Sequence, residues 1–419
     1  MTQAVSAGWV LPVDGPPIEN GYVAWEEGRI VEVGAGRGDR HYAGAIILPG
    51  LVNAHSHLEY TVYAGFGDGE RFGPWLATHI ARKRELEYEH MVAIARRGAA
   101  DSLSAGITTT ADYSFSGAAG SAANELGLRA VVYLEVFGSD PEAAAGRFDE
   151  LRARVDETEL VSVGVSPHAP YTCSAELYRW CLSLGLPVGT HLAESPNENE
   201  WLEHGTGPLT AAREFMVEPT GKRAVATLAE VLCPELLCAH CVEVDGDEIA
   251  LLVARDVPVA HCPRSNALLG CGIAPLGELR RAGIRVGLGT DSPASTPSID
   301  PWDELRAAVF AARAREQAPD ALSAADALRL ATLDAARALG LDRELGSLSP
   351  GKRADVTILT TAGTPYDPVE DPFVAAVFGG SPGGVLETIV NGRTRYRQGE
   401  TAWQEVRSTA SAARRRMLA

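Results

Sequence analysis

The chain has 419 residues, of which 46% are hydrophobic and 22% are charged, and its formal net charge is −18 at pH 7. This length predicts either two domains or one large domain with a satellite, and the composition is that of an ordinary globular protein. The acidic balance argues against nucleic acid or an anionic membrane as a partner, because phosphate binding needs a basic face.

Both ends of the chain predict short β-strands joined by tight turns. Near the N-terminus, strand-forming residues lie on either side of residues 26–29, which is a hairpin signal. Near the C-terminus, Asn391 and Gly392 lie between strand formers, and this dipeptide is among the strongest hairpin signals. We therefore expect residues 1–48 and 346–419 to meet in one small β-sandwich domain composed of both chain termini.

The middle of the chain, residues 49–345, alternates short apolar runs with helix-like stretches. Eight alternating strands imply parallel pairing through right-handed helical crossovers. We therefore predict an α/β fold with a metal-dependent (β/α)8 TIM barrel. An open doubly wound sheet is the alternative, although no Gly-x-Gly-x-x-Gly motif follows the first strand. The predicted strands are residues 45–52, 106–111, 130–136, 161–165, 187–191, 236–240, 258–261 and 285–289, and the clearest helices are residues 87–104, 175–184, 247–255 and 302–315.

Six of the ten histidines lie where these predicted strands end. In a barrel of this kind the catalytic groups lie at the C-terminal ends of the strands, so this coincidence predicts an active site. His55 and His57 follow the first strand, and side chains two residues apart on a strand point to the same side. The other four are His168, His191, His240 and His261, and the eighth strand ends at Asp291.

Imidazoles with one carboxylate are the ligand set of zinc or iron(II) that keeps a position open for water. We predict that His55, His57, His191 and Asp291 are the ligands. No lysine ends any of the eight predicted strands. A carbamylated lysine bridging two metals is therefore not expected, and we predict one divalent ion, Zn²⁺ first and Fe²⁺ as the alternative.

Several of these runs together resemble the amidohydrolase superfamily, and more narrowly its cytosolic deaminase and chlorohydrolase branch. The runs are Leu48-Pro-Gly-Leu-Val-Asn-Ala-His55-Ser-His57, His191-Leu-Ala-Glu194, His240, His261-Cys-Pro-Arg-Ser-Asn266 and Gly289-Thr-Asp291-Ser. Residues 166–173, 268–275 and 346–355 are similar to adenosine-type deaminases acting on methylthioadenosine, S-adenosylhomocysteine and 6-amino-6-deoxyfutalosine. The resemblance covers nearly the whole chain and implies a hydrolytic deaminase that forms a homodimer.

The resemblance also implies a role for each polar strand end. Water activated by the metal would attack the ring carbon that bears the exocyclic amine. Glu194 would carry a proton from this water to the ring nitrogen, which suits a carboxylate whose pKa is raised by partial burial. His240 and Asp291 would orient the water and pass protons to the leaving ammonia. His168 and Asn266 resemble family positions near the sugar or the base.

The long segment of residues 58–86 is expected to cover the site as a lid, with Trp75 facing the substrate. Related nucleoside deaminases carry a glutamate nine residues after this tryptophan, where it holds the ribose hydroxyls. This chain has Arg84 at that position and Glu85 next to it. Either the lid is shifted by one residue and Glu85 takes the role, or Arg84 binds a carboxylate on the substrate, which arginine does in bidentate fashion.

These observations leave several functions open. The leading one is hydrolytic deamination of a purine nucleoside, with 6-amino-6-deoxyfutalosine, an intermediate of menaquinone biosynthesis, placed first because its benzoate would suit Arg84. Methylthioadenosine and S-adenosylhomocysteine come second. Guanine deamination or s-triazine dechlorination would use the same site, and a metal-free binding scaffold is the alternative of another class.

The remaining signals concern the location of the protein. The seven cysteines show no disulfide-framework spacing, so we expect reduced thiols. No apolar run reaches the ~18 residues needed to span a bilayer, and no signal peptide opens the chain. We therefore expect a cytoplasmic protein without a membrane partner. The basic run of residues 414–416 is expected to lie in a solvated tail.

Overall fold

Two β-sheets organise the protein in a computed structural model that describes residues 2–418. One sheet contains strands from both ends of the chain in the order β15-β14-β13-β4-β1-β2-β3. These strands are β1 Gln3–Val10, β2 Ile18–Glu26, β3 Arg29–Ala35, β4 Arg40–Pro49, β13 Val356–Thr360, β14 Val385–Val390 and β15 Arg393–Arg397. The predicted meeting of the two termini is confirmed, and the strands form one continuous mixed sheet with its own apolar cluster.

The two predicted hairpins lie in this sheet. Glu27 and Gly28 connect β2 to β3 with φ values of 47° and 78°, and Asn391 and Gly392 connect β14 to β15 with φ values of 52° and 73°. Two consecutive residues with positive φ are what a two-residue hairpin turn requires, because this geometry matches the twist of the flanking strands.

The second sheet contains eight parallel strands in sequential order, so the predicted (β/α)8 barrel is confirmed. The strands are β5 Leu51–Ser56, β6 Ile107–Ser114, β7 Arg129–Val136, β8 Val161–Pro167, β9 Val188–Leu192, β10 Leu236–His240, β11 Val259–His261 and β12 Val286–Leu288. The sheet closes through a parallel bridge between Ser56 and Asp291, where Asp291 N donates a hydrogen bond to His55 O at 3.0 Å. The first and last barrel strands are thus joined beside the residues of the predicted active site.

Fifteen α-helices lie within residues 2–418. They are α1 Phe72–Lys83, α2 Tyr88–Ser104, α3 Ala118–Leu126, α4 Pro141–Arg152, α5 Ala175–Ser183, α6 Pro196–His204, α7 Ala224–Thr227, α8 Gly246–Ala254, α9 Pro263–Leu268, α10 Leu276–Arg281, α11 Pro301–Glu316, α12 Ala324–Leu330, α13 Leu333–Ala338, α14 Pro372–Gly379 and α15 Gln404–Leu418. Short 3-10 segments occupy Leu58–Tyr60, Pro208–Phe215 and Pro382–Gly384. Within the described residues, no helix combines the length and the apolar character that crossing a membrane would need.

Capping residues explain where several predicted helices begin. The side chains of Ser174, Asp245 and Asp300 each accept hydrogen bonds from backbone N–H groups in the first turns of α5, α8 and α11. Such caps satisfy donors that have no partner inside the helix. All four predicted helices are present, with bounds that differ by one residue at most.

The first predicted strand, residues 45–52, is wrong in its bounds, because the run belongs to two different strands. Its first part lies in β4 and pairs with β1 and β13 of the terminal sheet. The barrel strand β5 begins only at Leu51 and continues to Ser56. Gly50 lies at the break, where an added Cβ would be 2.1 Å from Thr108 Oγ1, so the chain passes between the sheets with no room for a side chain.

Residues 58–86, which we call the lid segment, follow β5 and contain the helix α1. Gly73 lets α1 approach the segment after α6, since a Cβ there would lie 2.0 Å from Pro208 O. The C-terminal helix α15 holds the lid segment from outside: Arg414 donates hydrogen bonds to Val62 O and Ala64 O, and Arg82 donates to Met417 O at 2.9 Å. The expectation of a solvated basic tail is therefore wrong for Arg414.

Candidate active site

The four predicted metal ligands converge at the C-terminal mouth of the barrel. His57 Nε2 lies 3.2 Å from His191 Nε2. Asp291 Oδ1 lies 3.5 Å from His55 Nε2 and 3.6 Å from His57 Nε2. All four side chains are buried. Side chains from β5, β9 and the end of β12 therefore present donor atoms to one point, and we call this cluster the barrel mouth.

Hydrogen bonds on the far side of two rings fix which nitrogen faces this point. His57 Nδ1 donates to Tyr113 O at 2.9 Å, and His191 Nδ1 donates to His168 O at 2.7 Å. Because a carbonyl can only accept, Nε2 of each neutral ring carries a lone pair. Two such acceptors 3.2 Å apart repel each other unless a cation lies between them. A hydrogen bond from the far ring nitrogen to a backbone carbonyl is the usual way in which a histidine ligand is oriented toward a metal.

The carboxylate of Asp291 is held with equal firmness. Its Oδ2 accepts hydrogen bonds from Ser265 Oγ at 2.6 Å and Ser295 Oγ at 2.8 Å, and its Oδ1 accepts from Ser292 N at 2.7 Å. Its φ is 55°, a left-handed conformation that is uncommon outside glycine and that occurs preferentially at functional sites. The turn after the eighth strand thus holds Asp291 Oδ1 close to His55 and His57.

The protonation states suit a divalent cation. Burial lowers the pKa of His57 to about 3 and also lowers the pKa values of His55 and His191. Burial opposes the charge of Asp291, but its histidine neighbours hold its pKa well below the usual range. Neutral imidazoles and an ionised carboxylate are the forms that bind a metal.

The residues present therefore fit a metal of the predicted class. His55 Nε2, buried and without a hydrogen-bond partner among residues 2–418, is a further orphaned donor atom at the same point. A divalent ion bound here would supply Lewis-acid chemistry and activate a water molecule at neutral pH. Its identity as zinc or iron(II) stays a prediction.

Close backbone packing places His55. An added Cβ on Gly289, at the end of β12, would lie 2.7 Å from His55 Cβ and 2.9 Å from His55 N. Only a glycine therefore lets the last barrel strand approach the first closely enough for both to contribute to the barrel mouth.

Glu194 and His240 lie beside this cluster. Glu194 Oε1 is 3.8 Å from His240 Nε2, and donor atoms of Glu194, His240 and Asp291 lie within 4.8 Å of one another. His240 Nδ1 donates to Asn266 Oδ1 at 3.0 Å, so its Nε2 faces the site. Asn266 is buried behind His240 and does not line the cavity. In the structure Asn266 therefore orients His240, and its expected contact with the substrate stays a prediction.

Glu194 has the environment of a proton-transfer group. No side chain or backbone group of residues 2–418 donates a hydrogen bond to its carboxylate. Burial, and then the charge of Asp291, raises the pKa of Glu194 well above its ordinary value. A carboxyl group with a raised pKa can both accept and release a proton near neutrality.

A cavity of about 410 Å³ opens in front of the barrel mouth. This volume lies within the range of roughly 300–1,000 Å³ that small-molecule sites occupy. Trp75, His168 and Arg84 line the cavity, as expected of substrate-binding residues. Glu85 is exposed and does not line it. Of the two alternatives for the lid segment, the structure thus brings Arg84 and not Glu85 to the cavity.

Arg84 lies at the outer part of this wall. Its side chain is 64% exposed, and its Nη2 is 3.7 Å from Glu214 Oε1. Its guanidinium carbon lies 5.5 Å from the ring centroid of Phe215. An exposed ion pair of this length contributes little and leaves the guanidinium free to bind another carboxylate.

Sequence reasoning missed two charged residues on the cavity wall, Lys83 and Glu135. Glu135 lies near the end of β7, so the same search of strand ends that found the histidines would have found it. Lys83 could have been found from helical periodicity: α1 brings Trp75, His79 and Lys83 to the cavity at intervals of four residues.

Comparison with known proteins agrees with this geometry. Residues 46–395 match the model of the amidohydrolase family. The chain is 35% identical over 415 residues to a 5-methylthioadenosine/S-adenosylhomocysteine deaminase of Symbiobacterium thermophilum, covering 94% of this chain and 93% of the relative. It is 33% identical over 408 residues to a 5'-deoxyadenosine deaminase of Methanothermobacter thermautotrophicus, covering 93% and 92%. A crystal structure of an adenosine deaminase from Xanthomonas campestris with bound zinc superposes with a TM-score of 0.86 at 26% identity, covering 99% and 98% of the two chains.

Proposed function

We propose that this protein, which belongs to the amidohydrolase family, deaminates an adenine nucleoside and releases ammonia. It is a hydrolase acting on carbon–nitrogen bonds. The observation that carries this proposal is the position of Glu194: a buried carboxyl group with a raised pKa, 3.8 Å from His240, beside four convergent metal ligands and on the wall of a cavity large enough for a nucleoside. Such a group can move a proton from water to a ring nitrogen.

The chain's own residues divide the work of the reaction in this proposal. His55, His57, His191 and Asp291 hold the metal. Glu194 transfers a proton to the purine ring, and His240, fixed by its hydrogen bond to Asn266, passes a proton toward the leaving amine. Trp75 and His168 contact the nucleoside.

Much of the cavity wall is apolar, which supports a small or apolar group at the 5' position of the substrate. Phe72, Leu76, Ile80, Phe215 and Met216 lie there. The relative named as a 5'-deoxyadenosine deaminase supports the same choice, and the other relative is named for both methylthioadenosine and S-adenosylhomocysteine. We therefore place 5'-deoxyadenosine and methylthioadenosine first among the substrates to test.

One observation supports a second candidate, 6-amino-6-deoxyfutalosine. Arg84 lies at the cavity with only a long, exposed contact to Glu214. A benzoate at the 5' end of the substrate would give this guanidinium a bidentate partner.

Ammonia release over a panel of purines tests the proposal. The purified protein, loaded with zinc or with iron(II) in separate preparations, is assayed with 5'-deoxyadenosine, methylthioadenosine, S-adenosylhomocysteine, 6-amino-6-deoxyfutalosine and guanine. Activity on adenine nucleosides and none on guanine is expected. Activity on guanine alone would overturn the proposal. Equal rates on 5'-deoxyadenosine and 6-amino-6-deoxyfutalosine would remove the role of Arg84 in selecting a carboxylate.

A further inference from the structure

Two oppositely charged side chains on the cavity wall have no part in the mechanism above. Glu135 comes from β7 and is 2% exposed, and Lys83 comes from the last turn of α1. Both line the cavity in front of the barrel mouth. The barrel and the lid segment each contribute one of the two charges, so the pair exists only when the lid segment lies against the barrel.

Glu135 is a carboxylate without a partner. No group within residues 2–418 donates a hydrogen bond to it, and no cationic side chain there lies within 4.0 Å of it. A buried carboxyl group without a hydrogen-bond partner costs free energy whether or not it is ionised, so the site favours a ligand that supplies the missing hydrogen bond. Because Glu135 lines the cavity, its oxygen atoms are available to whatever the cavity binds.

Lys83 is held in place without being neutralised. Its Nζ donates a hydrogen bond to the Tyr60 hydroxyl at 2.9 Å and lies 3.5 Å from the ring centroid of Phe115, a cation–π distance. Burial lowers the pKa of Lys83 and raises that of Glu135, and the attraction between the two charges opposes both shifts. An ammonium has three donors, so at least one remains for a ligand.

We propose that Lys83 and Glu135 form the subsite that binds the sugar hydroxyls of the substrate. A hydrogen-bond donor and an acceptor that line the same cavity complement a group that is itself both donor and acceptor, which describes a hydroxyl. The inference rests on the proposed function, because it assumes a nucleoside in the cavity.

The location of the subsite agrees with this assignment. Donor atoms of Glu135, His168 and His191 lie within 4.8 Å of one another, so the subsite begins where the barrel mouth ends. A purine whose reacting carbon faces the metal ligands would extend its sugar along this wall. Glu135 would then take the role that the lid segment cannot supply, since Arg84 and Glu85 provide no carboxylate to the cavity.

The test compares nucleosides that differ only in their hydroxyls. Adenosine, 2'-deoxyadenosine, 3'-deoxyadenosine and 2',3'-dideoxyadenosine are assayed with the wild type, Glu135→Gln, Lys83→Met and the exposed-surface control Glu230→Gln. We expect the wild type to lose roughly 10- to 100-fold in kcat/KM, mostly through KM, when both hydroxyls are absent. Glu135→Gln should have a kcat/KM for adenosine that is lower than that of the wild type by a similar factor. On 2',3'-dideoxyadenosine its kcat/KM should be almost the same as that of the wild type. Lys83→Met should lower the same discrimination, and Glu230→Gln should behave as the wild type.

Four outcomes would contradict the proposed function or the proposed subsite, and they can be told apart. No ammonia from any adenine nucleoside would remove the proposed function and this inference with it. Deamination at equal kcat/KM with and without the hydroxyls would remove the subsite alone, as would equal losses on adenosine and its dideoxy analogue in both variants. Two metal equivalents in the wild type and one in Glu135→Gln would assign Glu135 to a second metal with His168. Thermal unfolding of each variant checks that it folds.

Discussion

The barrel mouth and the lid segment build the same cavity by opposite means. In the barrel mouth all four side chains are buried, hydrogen bonds hold the far nitrogens of His57 and His191, and Asp291 has a left-handed backbone conformation. In the lid segment, a helix lies across the opening and is held by hydrogen bonds from α15, with Arg84 largely exposed. The predicted metal ligands thus lie on the barrel and Arg84 lies on a separate element, which is the arrangement expected of barrels that change specificity through their loops.

The largest expected effect is loss of the metal, which would break only the barrel mouth. Asp291→Ala, or exhaustive chelation, should lower kcat by at least about a thousandfold, because a metal lowers the pKa of its bound water toward neutrality and unbound water keeps a pKa of about 15.7. Metal content by mass spectrometry and ammonia release are the measurements. Re-addition of zinc should restore the chelated wild type and not Asp291→Ala. Full activity of a metal-free preparation would contradict the assignment.

Glu194→Gln comes next, because it keeps the shape of the site and removes the proton carrier. General acid–base groups contribute roughly 10²- to 10⁴-fold, and a loss of kcat in this range is expected. The bound metal should stay at the wild-type level, since Glu194 is not among the predicted ligands. A variant that has lost its metal as well would show that the two roles are not separate.

A smaller loss is expected from Asn266, which acts through His240. Asn266→Ala removes the acceptor that holds His240 Nδ1–H, and a drop in kcat of roughly 10- to 100-fold with little change in KM should follow. Asn266→Asp retains the acceptor and should recover most of the rate. A rise in KM with unchanged kcat would instead favour the substrate contact expected from the sequence.

Stability separates the two regions in another way. In Gly289→Ala the new methyl would meet His55 at 2.7 Å, and overpacking of this kind costs about 1–3 kcal/mol. Gly146→Ala in α4 is the matched control, because nothing lies within 4 Å of its added Cβ. Denaturant unfolding should show a loss for Gly289→Ala and none for Gly146→Ala. Equal stability of both variants would mean that β5 and β12 can move apart freely.

The same division explains what the sequence could predict. Strand ends of a parallel barrel meet at one edge, so His55, His57, His191 and Asp291 could be brought together by topology alone. The long separation of His191 and Asp291 from His55 and His57 along the chain does not matter once eight strands are recognised. The first strand was misplaced because the apolar run at residues 45–52 contains two strands, and apolar character does not distinguish one sheet from another.

No comparable topological rule places the side chains of the lid segment. Its helix was not predicted, and which of two neighbouring residues faces the cavity depends on the rotation of α1. That rotation is set by contacts distant in sequence, such as Gly73 against Pro208. The position of Asn266 at a strand end likewise does not say whether its side chain reaches the cavity or the residue in front of it, and in the structure it contacts His240.

The smallest expected effect lies in the lid segment and depends on the substrate. Arg84→Ala removes an exposed side chain whose ion pair with Glu214 is 3.7 Å long. The free energy of unfolding should therefore change little, and kcat/KM for 5'-deoxyadenosine should change by less than about threefold. Activity on 6-amino-6-deoxyfutalosine should fall by about tenfold through KM if its benzoate meets the guanidinium, because hydrogen bonds to charged groups contribute more than neutral ones. Arg84→Lys keeps the charge without the bidentate geometry and should lie between the two. An equal fall on both substrates would mean that Arg84 supports the lid segment as a whole. The separation between a catalytic frame and a selecting lid would then fail at the residue where it should be clearest.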